Sequence, residues 1–262
     1  MSSQTRGFGS KVFLLKEMVV RDIRARYAGS SLGLAWAFAL PVLWMLLYTG
    51  VFGLILRAPL PPGFANFPEF LVAGLLPWMA FHEGISRSAS SLHDNAAMVK
   101  KTVFPLEALI LSIVLAAVVN EVIALAIYAV FVAALGHLAL PWVLFAVPAL
   151  LAQTLLTFGL ACLAATLAVF VRDTVQALGV VLTVLFYATP IVYPASLVPA
   201  RLRPILAANP LAHLIEWYRG AFTLHTAPDP LSILYVTACA AGFAALGAAL
   251  FARARPHFAD LI

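Results

Sequence analysis

The 262-residue chain is 63% hydrophobic and only 10% charged, with a mean hydropathy of +1.00 and a net charge of +5. A soluble domain carries about a quarter charged residues, so this composition excludes a water-soluble globule of such size and makes the bilayer the solvent. The basic residues sit at the ends of apolar segments and not in a stripe with interleaved aromatics, which excludes a nucleic-acid surface and leaves a topology signal.

In residues 10–28, Val12, Leu15, Val19, Ile23 and Tyr27 recur at steps of three and four, with Glu17, Arg21 and Arg24 on the opposite face. This spacing predicts an amphipathic helix lying flat at the inner interface. Lys16 and Arg26 fall near its apolar edge and can snorkel. Gly29-Ser30-Ser31 then breaks the helix and turns the chain into the membrane. The first span, 32–56, has no charge at all and is too long for a signal h-region, so no cleavable signal peptide is expected. The second span, 67–91, carries Glu69, His82 and Glu83.

Residues 93–104 predict a short cytoplasmic helix of two to three turns. Asp94 caps it, Lys100 and Lys101 suit its C-terminal end, and Pro105 starts the next helix. The third span, 105–135, has Asn120 and Glu121 in its middle. The fourth is 141–171, and the fifth, 174–192, follows an Arg172-Asp173 turn. Pro190, Pro194, Pro199, Pro204 and Pro210 forbid one continuous helix beyond it, yet the segment stays apolar. Residues 193–228 therefore read as two short re-entrant helices dipping into the outer leaflet. The last span is 231–252.

The fold class expected is an all-α membrane protein with six transmembrane helices, which puts both termini on one side. The positive-inside rule makes that side the cytoplasm. It gathers Arg6, Lys11, Lys16, Arg21, Arg24 and Arg26, then Arg87, Lys100 and Lys101, then Arg172, Arg253 and Arg255. Only Arg57, Arg201, Arg203 and Arg219 remain outside. Cys162 and Cys239 both lie in apolar segments and read as small core residues, with no disulfide or metal site implied.

No Walker loop, zinc-spaced Cys/His cluster, Gly-x-Ser-x-Gly or His-Glu-x-x-His occurs, so nucleotide binding is not expected on this chain and a membrane enzyme is disfavoured. Trp44, Tyr48 and Phe52 are spaced four apart on one gently drifting face, and Tyr187 and Tyr193 lie near the outer end of the fifth span. Such residues form an interfacial belt or a wall on which sugar rings stack. Glu121 is either a functional intramembrane group or a carboxyl hydrogen-bonded across a helix interface. His82 and Glu83 either line an inner vestibule or pair with Arg87. Glu216 and Arg219 read as a local ion pair.

Five segments in order resemble one family, the ABC-2 membrane components of polysaccharide exporters. They are RDIRARYAGSSLGLAWAFALP at the entry, FLVAGLLPWMAFHEGISRSASSL in the second span and NAAMVKKTVFPLEAL in the linker. FYATPIVYPASLVPARLRPILAANPLAHLIEWYRGAF follows outside, and RPHFADLI closes the chain. The resemblance implies a homodimer in the bacterial inner membrane, joined to two copies of a separate ATPase that binds ATP and Mg. No cofactor is then expected on this chain. The substrate implied is a lipid-linked polysaccharide of O-antigen or capsular type, moved from the cytoplasm to the outer side. A capsular substrate would add periplasmic export proteins as partners. The channel candidates are Trp44, Tyr48, Phe52, Tyr187 and Tyr193, with Glu121 and His82. Arg21, Arg24 and Arg26 are the candidates for meeting the substrate's pyrophosphate at the inner entry. Asp94, Met98, Val99, Lys100, Lys101 and Phe104 are the candidates for coupling to the ATPase. A proton-coupled flippase using Glu121 and His82 is the alternative, although no internal inverted repeat supports it. A membrane-embedded glycan-modifying enzyme is the third reading.

Overall fold

A computed structural model describes residues 13–24, 35–57, 60–101 and 105–262, and every regular element among them is helical. Helix α1 covers residues 13–24. Helix α2, Trp36–Tyr48, continues without a break into a π-helical turn, Thr49–Ile55. Then come α3 (Phe67–Asp94), α4 (Ala96–Lys101), α5 (Leu106–Ala134), α6 (Leu140–Val143) and α7 (Ala146–Phe170). Helix α8 is Thr174–Ala188, α9 Arg203–Ala207, α10 Pro210–Arg219, α11 Pro230–Ala254 and α12 Phe258–Leu261.

Local chemistry explains the boundaries. Asn66 caps α3 by accepting from the Glu69 amide at 3.0 Å, while its own amide donates to the Glu69 carboxylate at 2.8 Å. Asn209 and Asp229 cap α10 and α11 by accepting from the amides of Leu211 and Ser232. Each is followed directly by proline, which fits the first helical turn because its missing N–H would have no partner there. Pro190 and Pro194 keep the chain after α8 from continuing as helix.

Among the described residues, three helical segments are long and apolar enough to cross a bilayer: Leu106–Ala134, Leu140–Phe170 and Pro230–Leu261. Val42–Ile55 and Thr174–Ala188 are apolar but shorter. At 1.5 Å per residue the 15 residues of α8 reach about 22 Å, less than a hydrocarbon core of about 30 Å. The chain after Ala188 would have to supply the remainder of a fifth span.

The main apolar core lies between α3, α5, α7 and α10, around Phe70, Leu75, Phe81, Tyr128, Leu156 and Tyr218. Helices α7 and α11 are pressed together at two glycines. A Cβ at Gly159 would strike the backbone of Phe243 and Ala244, and one at Gly247 would strike the Gly159 carbonyl. Such close approach is a means of helix association in lipid, where no hydrophobic force draws helices together. A second apolar cluster sits at the other end of the bundle. It unites Met18 of α1, Leu92 of α3, Val99 of α4, Leu106 of α5, Phe251 of α11 and Phe258 of α12.

Two expectations need correction. Helix α3 runs through Asp94 and is closed by Asn95, so Asp94 caps nothing; its carboxylate accepts from Ser90 Oγ at 2.7 Å. The short helix after it starts only at Ala96 and has six described residues, because the preceding helix has consumed the segment expected to begin it.

Candidate functional site

Helices α2, α3 and α8 line an open cavity of about 580 Å³. One wall comes from α2, where steps of four put Trp44, Tyr48 and Phe52 on one side. Their ring centroids are 5.7 and 6.1 Å apart, and Phe52 continues the row onto Phe67 of α3 at 6.4 Å. The opposite wall is built by Trp78 and His82 of α3 with Phe186 and Tyr187 of α8. Trp78 lies 5.4 Å from Phe186 and 6.1 Å from His82, and Phe186 meets Tyr187 edge-on at 5.1 Å. These are ordinary aromatic contact distances.

Of the expected channel residues, the cavity unites Trp44, Tyr48, His82 and Tyr187. Phe52 extends the same row without lining the cavity. Tyr193 stands next to it, donating to the Tyr187 carbonyl at 2.6 Å. Glu121 does not face the cavity. It is 3% exposed, and its Oε2 accepts from Gln153 Nε2 of α7 at 2.7 Å; that amide also donates to the Pro77 carbonyl of α3 at 3.1 Å. The carboxyl thus links α5, α7 and α3 in the interior, which is the helix-interface alternative. Trp78 and Phe186 went unnoticed in the sequence, since a lone aromatic within a span carries no mark of which side it faces.

One end of the cavity is ionic. Glu83, Ser86 and Arg87 line it. Arg87 donates to Glu83 at 3.3 Å, but its main partner is Asp22 of α1, held by two hydrogen bonds of 2.7 and 2.8 Å. A bidentate guanidinium–carboxylate pair fixes orientation as well as distance. The amphipathic helix is thereby clamped to the mouth of the aromatic cavity. Arg21 and Arg24 remain on the exposed side of α1, and Arg26 lies outside the described residues.

The coupling candidates divide by face. Val99 is buried in the second apolar cluster, while Ala97 and Lys100 are exposed and Met98 is intermediate. Phe104 and the side chain of Lys101 lie outside the described residues. At the opposite end of the bundle, Arg219 of α10 is only 1% exposed and is more than a local pair. It reaches Glu216 at 2.7 Å, the Ile191 carbonyl at 3.0 Å and the Phe70 carbonyl at 3.3 Å, with its guanidinium 3.8 Å from the Phe70 ring centre.

Comparison with known proteins gives a consistent picture. Residues 14–223 match the family described as ABC-2 type transporter. The chain is 33% identical over 253 residues to an O-antigen export system permease protein RfbA of Myxococcus xanthus, covering 95% of each chain. It is 31% identical over 252 residues to the protein of that name in Klebsiella pneumoniae, again covering 95% of each. It is also 24% identical over 243 residues to the polysialic acid transport protein KpsM of Escherichia coli, covering 88% of this chain and 89% of that one.

Proposed function

The chain belongs to the ABC-2 type transporter family, and on that premise we propose that the aromatic cavity between α2, α3 and α8 is part of the path of an exported glycan. The protein is the permease subunit of an ABC polysaccharide exporter; ATP hydrolysis resides on a separate subunit. The finer reading has six spans, with α2, α3, α5, α6–α7, α8 and α11 crossing the inner membrane and both termini in the cytoplasm. In it, residues 193–228 form the outer gate. The permease works as a homodimer with two ATPase copies and carries a lipid-linked glycan of O-antigen or capsular type.

The observation that carries this reading is the aromatic lining of one cavity by Trp44 and Tyr48 of α2, Trp78 of α3, and Phe186 and Tyr187 of α8. Ring faces take up the C–H faces of sugars, whereas charged groups would hold particular hydroxyls. A path with aromatic walls and charge confined to its Glu83–Arg87 end suits a polymer that must slide. Exposed apolar side chains on α2 and α8, such as Leu43, Leu47, Val180 and Val184, suit a second copy closing the path. The hydrogen bond of Glu121 to Gln153 across the helix interface, away from the cavity, supports the exporter reading over proton coupling.

The test is export by purified permease and ATPase in proteoliposomes. ATP should drive it with or without a proton gradient. The W44A/Y48A/F52A variant should lose most export per assembled complex while the ATPase still co-purifies. Unchanged export per complex would return these residues to the role of an interfacial belt.

A further inference from the structure

Past the Gly159–Gly247 contact, an open groove of about 570 Å³ lies along the last turns of α7 and α11. Leu163, Leu167 and Phe170 line it from α7 and Leu250 from α11, and Arg253 and His257 stand at its end. The apolar side chains form a slot running along the helices. Arg253 is exposed, and among the described residues it has no carboxylate within ion-pair distance and no hydrogen bond. Arg255, two residues further on, is turned onto Glu107 of α5 at 3.3 Å. An apolar slot that ends at an unpaired arginine and a histidine, at the end of two apolar spans, has the chemistry of a molecule with an acyl chain and a negative headgroup. Basic pockets between helices at the inner membrane surface hold anionic lipid headgroups in this way.

We propose that an anionic phospholipid occupies this groove, with an acyl chain against Leu163, Leu167 and Leu250 and its phosphate on Arg253 and His257. The lipid covers the apolar side chains that the two helices present there. The assignment rests on the proposed orientation only for the choice of the cytoplasmic leaflet; lipid binding itself is independent of what is exported.

The experiment compares phosphatidylglycerol with phosphatidylcholine as probes. The delipidated permease–ATPase complex is incorporated into nanodiscs containing both, and retained lipid is counted by native mass spectrometry. The wild type should retain phosphatidylglycerol in preference. In R253Q that preference should fall about fivefold, the effect of about one surface charge on an anionic headgroup. L250W, which fills the slot, should release the bound lipid, and R203Q at the opposite end should retain it as the wild type does. Soluble glycerol phosphate should not compete, because it has no acyl chain. Wild-type preference in R253Q, an equal loss in R203Q, or displacement by glycerol phosphate each overturns the proposal. So does a wild-type groove that rejects phosphatidylglycerol because a second copy or another protein covers it. Export measured on the same preparations keeps the two readings apart: lost lipid preference with normal export touches only this site, and lost export with normal preference touches only the transport path.

Discussion

Replacing Arg219 with methionine keeps the side-chain volume and removes its polar connections at once. The hydrogen bond to Ile191 joins two buried groups, so its loss leaves a carbonyl without a partner, at a cost of about 1–3 kcal/mol. The guanidinium over Phe70 is desolvated, and its loss costs about 2 kcal/mol. The Glu216 side chain is 50% exposed, so that ion pair contributes about 0–1 kcal/mol. The Phe70 carbonyl lies within α3, where the helix ladder supplies a partner after the arginine has gone. The expected destabilisation is therefore about 4 kcal/mol. Lysine, which keeps the charge but lacks the planar fork, should cost about half as much. The assay is unfolding of purified permease by SDS in mixed micelles, with export measured in parallel. Because Arg219 joins α10 to α3 and to the chain after α8, R219M should also loosen the segment from Ile191 to Arg219 toward protease. A methionine variant within about 1 kcal/mol of wild type would refute the reasoning, since it would mean that the buried contacts carry no net energy.

Three other perturbations give separate checks. An engineered cysteine at Ala227 should react with an impermeant thiol reagent from the periplasm, and one at Ala97 should not; the reverse pattern would sink the six-span topology. On α4, A97D with K100E changes only exposed positions and should reduce co-purification of the ATPase while the permease stays folded. V99D instead places a charge in the second apolar cluster and should lower the yield of folded permease, so equal effects of the two variants would remove the division of faces. G159L must force α7 from α11 and should cost about 3 kcal/mol or more in the SDS titration, whereas G242A meets open space and should cost nothing.

The helical order was legible because its signals are local. Asn209 and Asp229 directly precede the prolines that start α10 and α11, and long apolar runs separate basic clusters. One wall of the cavity was legible for the same reason: a four-residue step puts Trp44, Tyr48 and Phe52 on one face whatever surrounds them. The facing wall required knowing how α3 and α8 are rotated. In lipid that rotation leaves little trace, because lumen, protein and acyl chain all accept an aromatic ring. Long-range pairing was hidden more deeply. Arg87 had an obvious partner one turn away in Glu83, and the stronger one, Asp22, is 65 residues distant. The Glu216–Arg219 pair read from the sequence is present, but proximity in sequence gave no sign of the carbonyls of Phe70 and Ile191 that the same guanidinium reaches. Asp94 failed as a cap because the preceding helix ran past its expected end, a boundary decided by tertiary packing of Leu92 and not by capping preference.

The meeting of Gly159 with Gly247 also imposes an order on biogenesis. It joins α7 to α11, a helix that leaves the ribosome well after it. Until Pro230–Ala254 has entered the bilayer, the bare glycine face of α7 has only acyl chains against it. Helices α3, α5 and α7 can assemble as they emerge, but the bundle closes only after Pro230–Ala254 has been made and inserted. A nascent protein arrested before residue 230 would therefore sit in the membrane with an open seam, recognisable to the proteases that clear unfinished chains.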